Sequence, residues 1–390
     1  MDVYLSPEQL AMRAEVRAFL DEEYPLDRIT QMERDEEYPY EFYRSCAERG
    51  WTGIPVPTEH GGSDGSVMDL CVFVEEVGKT SISLATLYIT GTIFGSHALH
   101  ICGSAEQAAR YLPAIVTGDR RFALSMSEPG AGSDFAGMET TAEKVGGGWR
   151  ISGVKGPISG AERAEVIITA ARTNTFPEQP RQKGITLFLV DNQADNPTPG
   201  LSFERRQHLA MKALMVNDVT YDNVFVPDDA VLGEVDDGWL NLAKLMDPER
   251  LANAAQSIGV AQAALDDAVT YANNREQYGG PIARFQAVTH PLAEAQAEVA
   301  AARLLVYAAA HKRDVEGPCP MEASMAKMLA NNVSGRATTA AMQVAGARGW
   351  EAESHFLRRN LEVRGCELGG GTSQIQRNII AHHMGLRTKG

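Results

Sequence analysis

The 390-residue sequence predicts an α+β multidomain fold, with an N-terminal α-helical domain, a middle β-barrel or sandwich domain and a C-terminal four-helix-bundle domain. Three observations predict it. Apolar residues recur at helical spacing in the first and last parts of the chain. Short β-like runs, punctuated by glycine and proline, fill the middle. No strand–GxGxxG–helix unit interrupts this order, which argues against a Rossmann nicotinamide enzyme. The boundaries fall at 1–120, 121–236 and 237–390, in keeping with about 150 residues per domain.

The first domain opens at Ser6-Pro7-Glu8-Gln9, an N-cap, a first-turn proline and an acidic start, followed by the apolar Leu10, Ala14, Val16, Phe19 and Leu20. This charged, helical opening is no signal peptide. Thr80 to Ala105 carries no Asp, Glu, Lys or Arg, yet it includes Ser81, Ser83, Thr86, Thr90, Thr92, Ser96, His97 and His100. That polarity predicts a buried helix rather than a membrane span. The strand candidates are Phe122–Met126, Thr140–Lys144, Trp149–Ser152, Val166–Ala170, Ile185–Val190 and Val216–Tyr221. Gly146–Gly148, Gly153, Pro177–Pro180 and Pro197–Gly200 supply turns between them. Helical spacing returns in Leu251–Asn274, Gln286–Arg313, Met321–Ala347 and Gln374–His383.

Composition excludes several classes. Hydrophobic residues make up 44% and charged residues 22%, which is ordinary for a globular protein. With 36 Lys and Arg against 51 Asp and Glu, the net charge of −15 argues against nucleic acid as a partner. Five dispersed cysteines without metal-ligand spacing predict no metal site and a reducing, cytoplasmic setting.

The most specific segment is Ser125-Met126-Ser127-Glu128-Pro129-Gly130-Ala131-Gly132-Ser133-Asp134. Small residues there allow backbone N–H groups to approach a flat or anionic ligand, although glycine-rich loops after strands are common. Ser127–Asp134, Arg275-Glu276-Gln277-Tyr278-Gly279 with Phe285-Gln286, and Gly371-Thr372-Ser373-Gln374-Ile375-Gln376-Arg377 together resemble the acyl-CoA dehydrogenase family. Gly61-Gly62 and Tyr111-Leu112-Pro113 fit as well, so the resemblance extends over nearly the whole chain.

The resemblance implies an FAD enzyme, a homotetramer or dimer, with the cofactor between the β domain and the C-terminal helices. Leu124, Ser125, Met126, Ser127 and Ser133 would line the flavin, Ser127 at its pyrimidine edge. Ser159 would bond flavin N5, beside Pro157 and Ile158. Arg275, Gln277, Phe285 and Gln286 would reach the FAD of a neighbouring subunit. Alone, Arg275 would read as a cation at a helix C-terminus. Gln343 and Gly346 would meet the adenine half, and Thr372 and Gln374 the pyrophosphate region.

The family reaction takes a proton from the carbon α to a thioester carbonyl and passes the β-hydride to flavin N5. It needs a carboxylate base and donors to the thioester oxygen. Most members place a Glu where this chain has Gly370. A subset resembling the isovaleryl-CoA and long-chain enzymes carries the base on a C-terminal-domain helix, and Glu249 matches that position. By helix logic alone, Asp247 is an N-cap, Pro248 the first helical residue and Glu249 a first-turn acid. Joined to Gly370, Glu249 becomes the base, with Glu367 as fallback. The Gly370 N–H would bond the thioester oxygen. Asp247, Arg250 and Gly371 would hold substrate or base, and Ser133 the pantetheine end.

The implied function is α,β-dehydrogenation of an acyl thioester on coenzyme A or an acyl carrier protein, with an electron-transferring flavoprotein as acceptor. An acidic carrier would need a basic patch, for which Arg358-Arg359 and Arg364 are candidates. Two departures open alternatives. Pro157 stands where the family has tryptophan, which admits an oxidase or monooxygenase, and Gly370 admits a catalytically silent subunit of a hetero-oligomer.

Overall fold

The computed structural model describes residues 5–176, 178, 180–193 and 197–386, and the chain runs helices, sheet, helices. Residues 1–4 of the opening run, and Pro177 and Gln179 of the Pro177–Pro180 turn, lie outside the described residues.

The N-terminal helices are α1 (Pro7–Glu23), α2 (Leu26–Arg34), α3 (Tyr40–Glu48), α4 (Val67–Thr80), α5 (Ile82–Tyr88), α6 (Gly95–Cys102) and α7 (Ala105–Val116). Serine starts four of them, and three carry a full reciprocal cap. Ser6, Ser66 and Ser104 each accept the N–H three residues on, and the side chain at that position returns to the serine N–H. A π-helical turn, Ile89–Phe94, joins α5 to α6. Its Gly91 carbonyl accepts the Tyr43 hydroxyl at 3.1 Å. Ile82–Cys102 is long and apolar enough to cross a membrane, but its most apolar 18-residue stretch is 89% buried inside the protein, where it packs on the first strand, α7 and the long C-terminal helix. It is a core helix.

The sheet comprises β1 (Phe122–Ser125), β2 (Thr141–Val145), β3 (Gly148–Ser159), β4 (Val166–Arg172), β5 (Ile185–Asp191), β6 (Leu201–Arg205), β7 (Val216–Pro227) and β8 (Val231–Leu232). These form one mixed sheet in the order β6-β7-β3-β2-β4-β5-β8, with β1 parallel to β4. Alternation divides two cores. Val166, Ile168 and Ala170 of β4 face α6 and α7, whereas Ile167 and Ala171 join Trp149, Phe188, Val219 and Tyr221 on the other side. β6, a short polar edge strand, was not among the sequence candidates.

The C-terminal domain holds α8 (Gly238–Asn274), the hairpin β9–β10 (Glu276–Gln277, Gly280–Pro281), α9 (Gln286–Glu316), α10 (Pro320–Ala345), α11 (His355–Leu368) and α12 (Ser373–His383). α8 begins thirteen residues before the expected Leu251 and passes straight through Asp247-Pro248. Asp247 is therefore no N-cap. Helix α11 was also missed, because its buried face includes Arg359 and Glu362, which read as solvent-facing. Small residues let the helices approach closely. A Cβ on Gly259 would lie 2.2 Å from the Glu75 carbonyl oxygen, so α8 and α4 touch backbone to backbone.

Candidate active site

Two structural features meet over one apolar cluster. Leu124 and Met126, at the end of β1, and Met246, on α8, are half-buried against the cluster that contains Phe135, Leu242 and Leu245. The glycine-rich loop and the Glu249 turn of α8 thus share a floor.

The loop is held from below by a buried ion pair. Lys155 on β3 is fully buried and lies 2.9 Å from Glu128; it also donates to the Met126 carbonyl at 2.9 Å. Glu128 accepts the Glu139 and Thr140 N–H groups at 2.6 and 2.9 Å. Burial lowers the Lys155 ammonium to about 8. Burial alone would raise Glu128, but the Glu139 N–H and Lys155 outweigh it and hold the carboxyl below its ordinary value. The Gly156 N–H donates to the Ser127 carbonyl at 2.9 Å, a second brace. Sequence reasoning assigned no part to Glu128 or Lys155. The available signal was a lysine inside a β run.

Above this brace the loop is open. Added Cβ atoms on Gly130 and Gly132 would meet nothing within 4 Å, and Ser133 is exposed. Met126, Ser127 and Ser159 are half-exposed and Pro157 is exposed. Ser125 and Ile158 require correction as flavin-lining side chains. Strand alternation turns both inward: Ser125 is fully buried and accepts the Tyr221 hydroxyl at 3.0 Å, and Ile158 is packed in the sheet core.

The second feature is a carboxylate facing a glycine turn. Glu249 is 4% exposed, and its Oε2 has no hydrogen-bond partner among the described residues. Gly370, between α11 and α12, has φ +63°, and a Cβ there would lie 2.2 Å from Glu249 Oε1. The helix-borne carboxylate therefore occupies the space into which a side chain at position 370 would project. Burial raises the Glu249 carboxyl, with Lys327 and Arg250 acting in the opposite direction. A buried, unpartnered carboxylate of raised pKa beside an exposed backbone turn is the arrangement expected of a general base. Glu367, the fallback, pairs with Arg364 at 3.5 Å and does not stand in this position.

The other expected residues fall into three groups. Thr372 caps α12, its hydroxyl accepting the Ile375 N–H at 3.3 Å, with Gln374 exposed beside it. Gln376 Nε2 donates to the Gly370 and Gly371 carbonyls at 3.2 and 2.8 Å and so fixes the turn. Arg275, Gln277 and Gln286 are exposed on or beside the β9–β10 hairpin, with Phe285 half-buried, and Gln343 and Gly346 are exposed at the end of α10. Arg275 makes no ion pair within 4.0 Å among the described residues. Asp247 must be removed from the ligand-facing set, because it accepts the Cys319 N–H at 2.8 Å and pairs with Arg250 at 3.4 Å. The expected basic patch is also corrected: Arg358 and Arg359 lie inside, paired with Glu362 and Asp267, which leaves only Arg364 exposed.

The chain thus joins helices, a mixed sheet and helices, with a buried carboxylate and an open small-residue loop over one apolar cluster. Profiles of the acyl-CoA dehydrogenase N-terminal, middle and C-terminal domains match residues 6–119, 123–224 and 236–385. The chain belongs to the acyl-CoA dehydrogenase family, and it is an FAD-dependent oxidoreductase acting on CH–CH bonds of acyl thioesters.

Subunit CarC of the caffeyl-CoA reductase–Etf complex from Acetobacterium woodii is 34% identical over 97% of this chain and 98% of its own. Benzylmalonyl-CoA dehydrogenase from Aromatoleum aromaticum is 34% identical over 98% and 99%. Among solved structures, butyryl-CoA dehydrogenase from Megasphaera elsdenii superposes with a TM-score of 0.92 at 27% identity, covering 98% of this chain and all of that one. PigA with FAD and proline gives 0.91 at 27% identity over both full chains.

The residues present fit FAD: the open Gly130–Ser133 loop, the capped N-terminus of α12 and the unpaired Arg275 offer small, polar and cationic surfaces to a flat anionic ligand.

Proposed function

We propose that the protein removes the α-proton of an acyl thioester with Glu249 while the β-hydride leaves to FAD. One observation carries this reading: the Glu249 carboxylate stands where a side chain at Gly370 would be. The base has moved from one wall of the site to the other, and glycine on the vacated wall makes room for it.

The chain's own groups divide the work. Bound FAD supplies the hydride acceptor. Glu249, dehydrated by burial, takes the α-proton. The exposed Gly370 turn offers its N–H toward the thioester oxygen, where negative charge develops as the proton leaves. Gln376 holds that turn through the Gly370 and Gly371 carbonyls, and the Lys155–Glu128 pair holds the loop opposite. Arg250 keeps a positive charge beside the base, anchored by Asp247.

Coenzyme A is the favoured carrier, because Arg358 and Arg359, expected to help form a patch for an acidic carrier protein, are paired internally with Glu362 and Asp267. An electron-transferring flavoprotein is the favoured acceptor, by analogy with the Etf complex that contains CarC. The exposed β9–β10 hairpin supports assembly with a second copy that completes the cofactor site.

The test is anaerobic addition of a panel of acyl-CoA thioesters to the FAD-loaded protein. Wild type should bleach with at least one of them, and Glu249→Gln should bleach at least about 100-fold more slowly, the lower end of a general acid–base contribution. Equal rates in both would remove Glu249 from the mechanism.

A further inference from the structure

Lys327 is a second charged residue at this site that the reading above does not use. It lies on α10 among Ala323, Ala326 and Ala330, all fully buried, and is itself fully buried. Its ammonium donates to the Gly371 carbonyl at 3.0 Å and to the Cys366 carbonyl at 3.4 Å, which bracket the Gly370 turn. It makes no ion pair within 4.0 Å among the described residues. The nearby Glu249 has an oxygen with no partner. A buried cation and a buried anion therefore face the same turn without neutralising each other by contact.

The surroundings show that this cation is not needed to fill hydrogen bonds. Gln376 already bonds the Gly370 and Gly371 carbonyls, and Asn331 Nδ2 already donates to the Cys366 carbonyl at 3.3 Å. An apolar side chain would cost less to bury. What Lys327 adds is charge.

We propose that Lys327 is a positioning residue of the dehydrogenase site: its ammonium fixes the Gly370–Gly371 turn through the Gly371 carbonyl and biases the facing Glu249 carboxylate toward its ionised form. The inference rests on Glu249 being the base. The charged groups acting on Glu249 are Lys327 and Arg250, the latter paired with Asp247 on α8; those acting on Lys327 are Glu249, Arg250, and Cys366 and Glu367 at the end of α11, while α12 brings the uncharged Gln376 to the turn. Of the two cations, Arg250 is tied to Asp247, whereas Lys327 holds only carbonyls.

The experiment uses the FAD-loaded protein and a 3-thiaacyl-CoA, whose β-position cannot be desaturated. Exchange of its α-hydrogens in D2O reports base action without turnover. In Lys327→Met the acidic limb of the exchange–pH profile should move up by about one pH unit, a roughly tenfold loss of rate below the limb. Lys327→Arg should restore it. A Lys327→Met profile that superposes on wild type, or an arginine variant displaced as far as the methionine one, would overturn the proposal.

Should Lys327→Met fail to fold, coupling can be read from the other partner. In Nζ-labelled protein, Glu249→Gln should shift the nitrogen resonance and titration of the buried lysine, since the coupling is reciprocal. An unchanged lysine signal would equally overturn the proposal. Undiminished exchange in Glu249→Gln would instead sink the assignment of the base. Loss of exchange in that variant, with no displacement in Lys327→Met, would sink the role of Lys327 alone.

Discussion

A single methyl group at position 370 should separate folding from chemistry. In Gly370→Ala the new Cβ would lie 2.2 Å from Glu249 Oε1 and 2.7 Å from Oε2, against an ordinary contact of 3.4 Å or more. The carboxylate must retreat by about 1 Å, a misplacement that can cost roughly 100-fold in rate. The backbone adds a smaller effect, because φ is +63° and an L-residue in that region costs about 1–2 kcal/mol. The assay is anaerobic stopped-flow reduction of bound FAD by the best thioester, beside thermal unfolding. Gly369→Ala is the control: its φ is −67° and its nearest new contact is 3.5 Å, so it should behave as wild type. Gly370→Ala reducing its flavin at the wild-type rate would refute the idea that carboxylate and side chain compete for one space.

Three further outcomes are expected. Glu249→Gln should be at least as stable as wild type, since the buried acid favours its protonated form; folded protein then holds a proton that unfolded protein has released. Wild-type stability should fall relative to the variant as pH rises from the ordinary carboxylate value through the raised one, and thermal unfolding against pH would show it. Lys155→Met should lower unfolding free energy by about 3 kcal/mol by leaving Glu128 buried without its cation, and should weaken flavin retention; denaturant unfolding and the flavin-to-protein absorbance ratio measure both. Ser125→Ala should cost only about 1 kcal/mol, one hydrogen bond to Tyr221, and leave the flavin spectrum unchanged; an altered spectrum would mean that this serine faces the cofactor after all.

The order of the layers was legible because strands such as Ile185–Asp191 are nearly unbroken apolar runs between turn residues, whereas α1 sets Val16, Phe19 and Leu20 at helical spacing on one buried face. The failures have physical causes. Asp247-Pro248 reads as a helix start by every local rule, yet α8 passes through it because the bundle and the sheet bury both flanks. α11 escaped because Arg359 and Glu362 occupy its buried face. In the site, Glu249 and Gly370 were legible as a complementary pair only through the resemblance; that they contend for the same space is a fact of three dimensions. The Lys155–Glu128 pair joins positions 27 apart, and Lys327 approaches Glu249 across 78 residues, separations at which no local pattern speaks. Lys327 did leave one trace, a lone cation at core spacing in an alanine stripe. Ser125 misled for a simpler reason: membership in a motif does not say which way a strand residue points.

The 37-residue helix α8 sets a mechanical constraint. Gly238, at its start, lies against the backbone of Ile185 and Leu187, and Arg275, just past its end, begins the exposed β9–β10 hairpin. At 1.5 Å per residue the rod is roughly 55 Å long, and Glu249 stands roughly 38 Å from the hairpin end. Rotating such a lever about the base by only about 1.5° swings the tip by about 1 Å, and the reverse holds for a push on the tip. The hairpin and Glu249 are thus joined through one unbroken helix. A second copy docked on the hairpin, as proposed above, would act on the same rod that carries the proposed base.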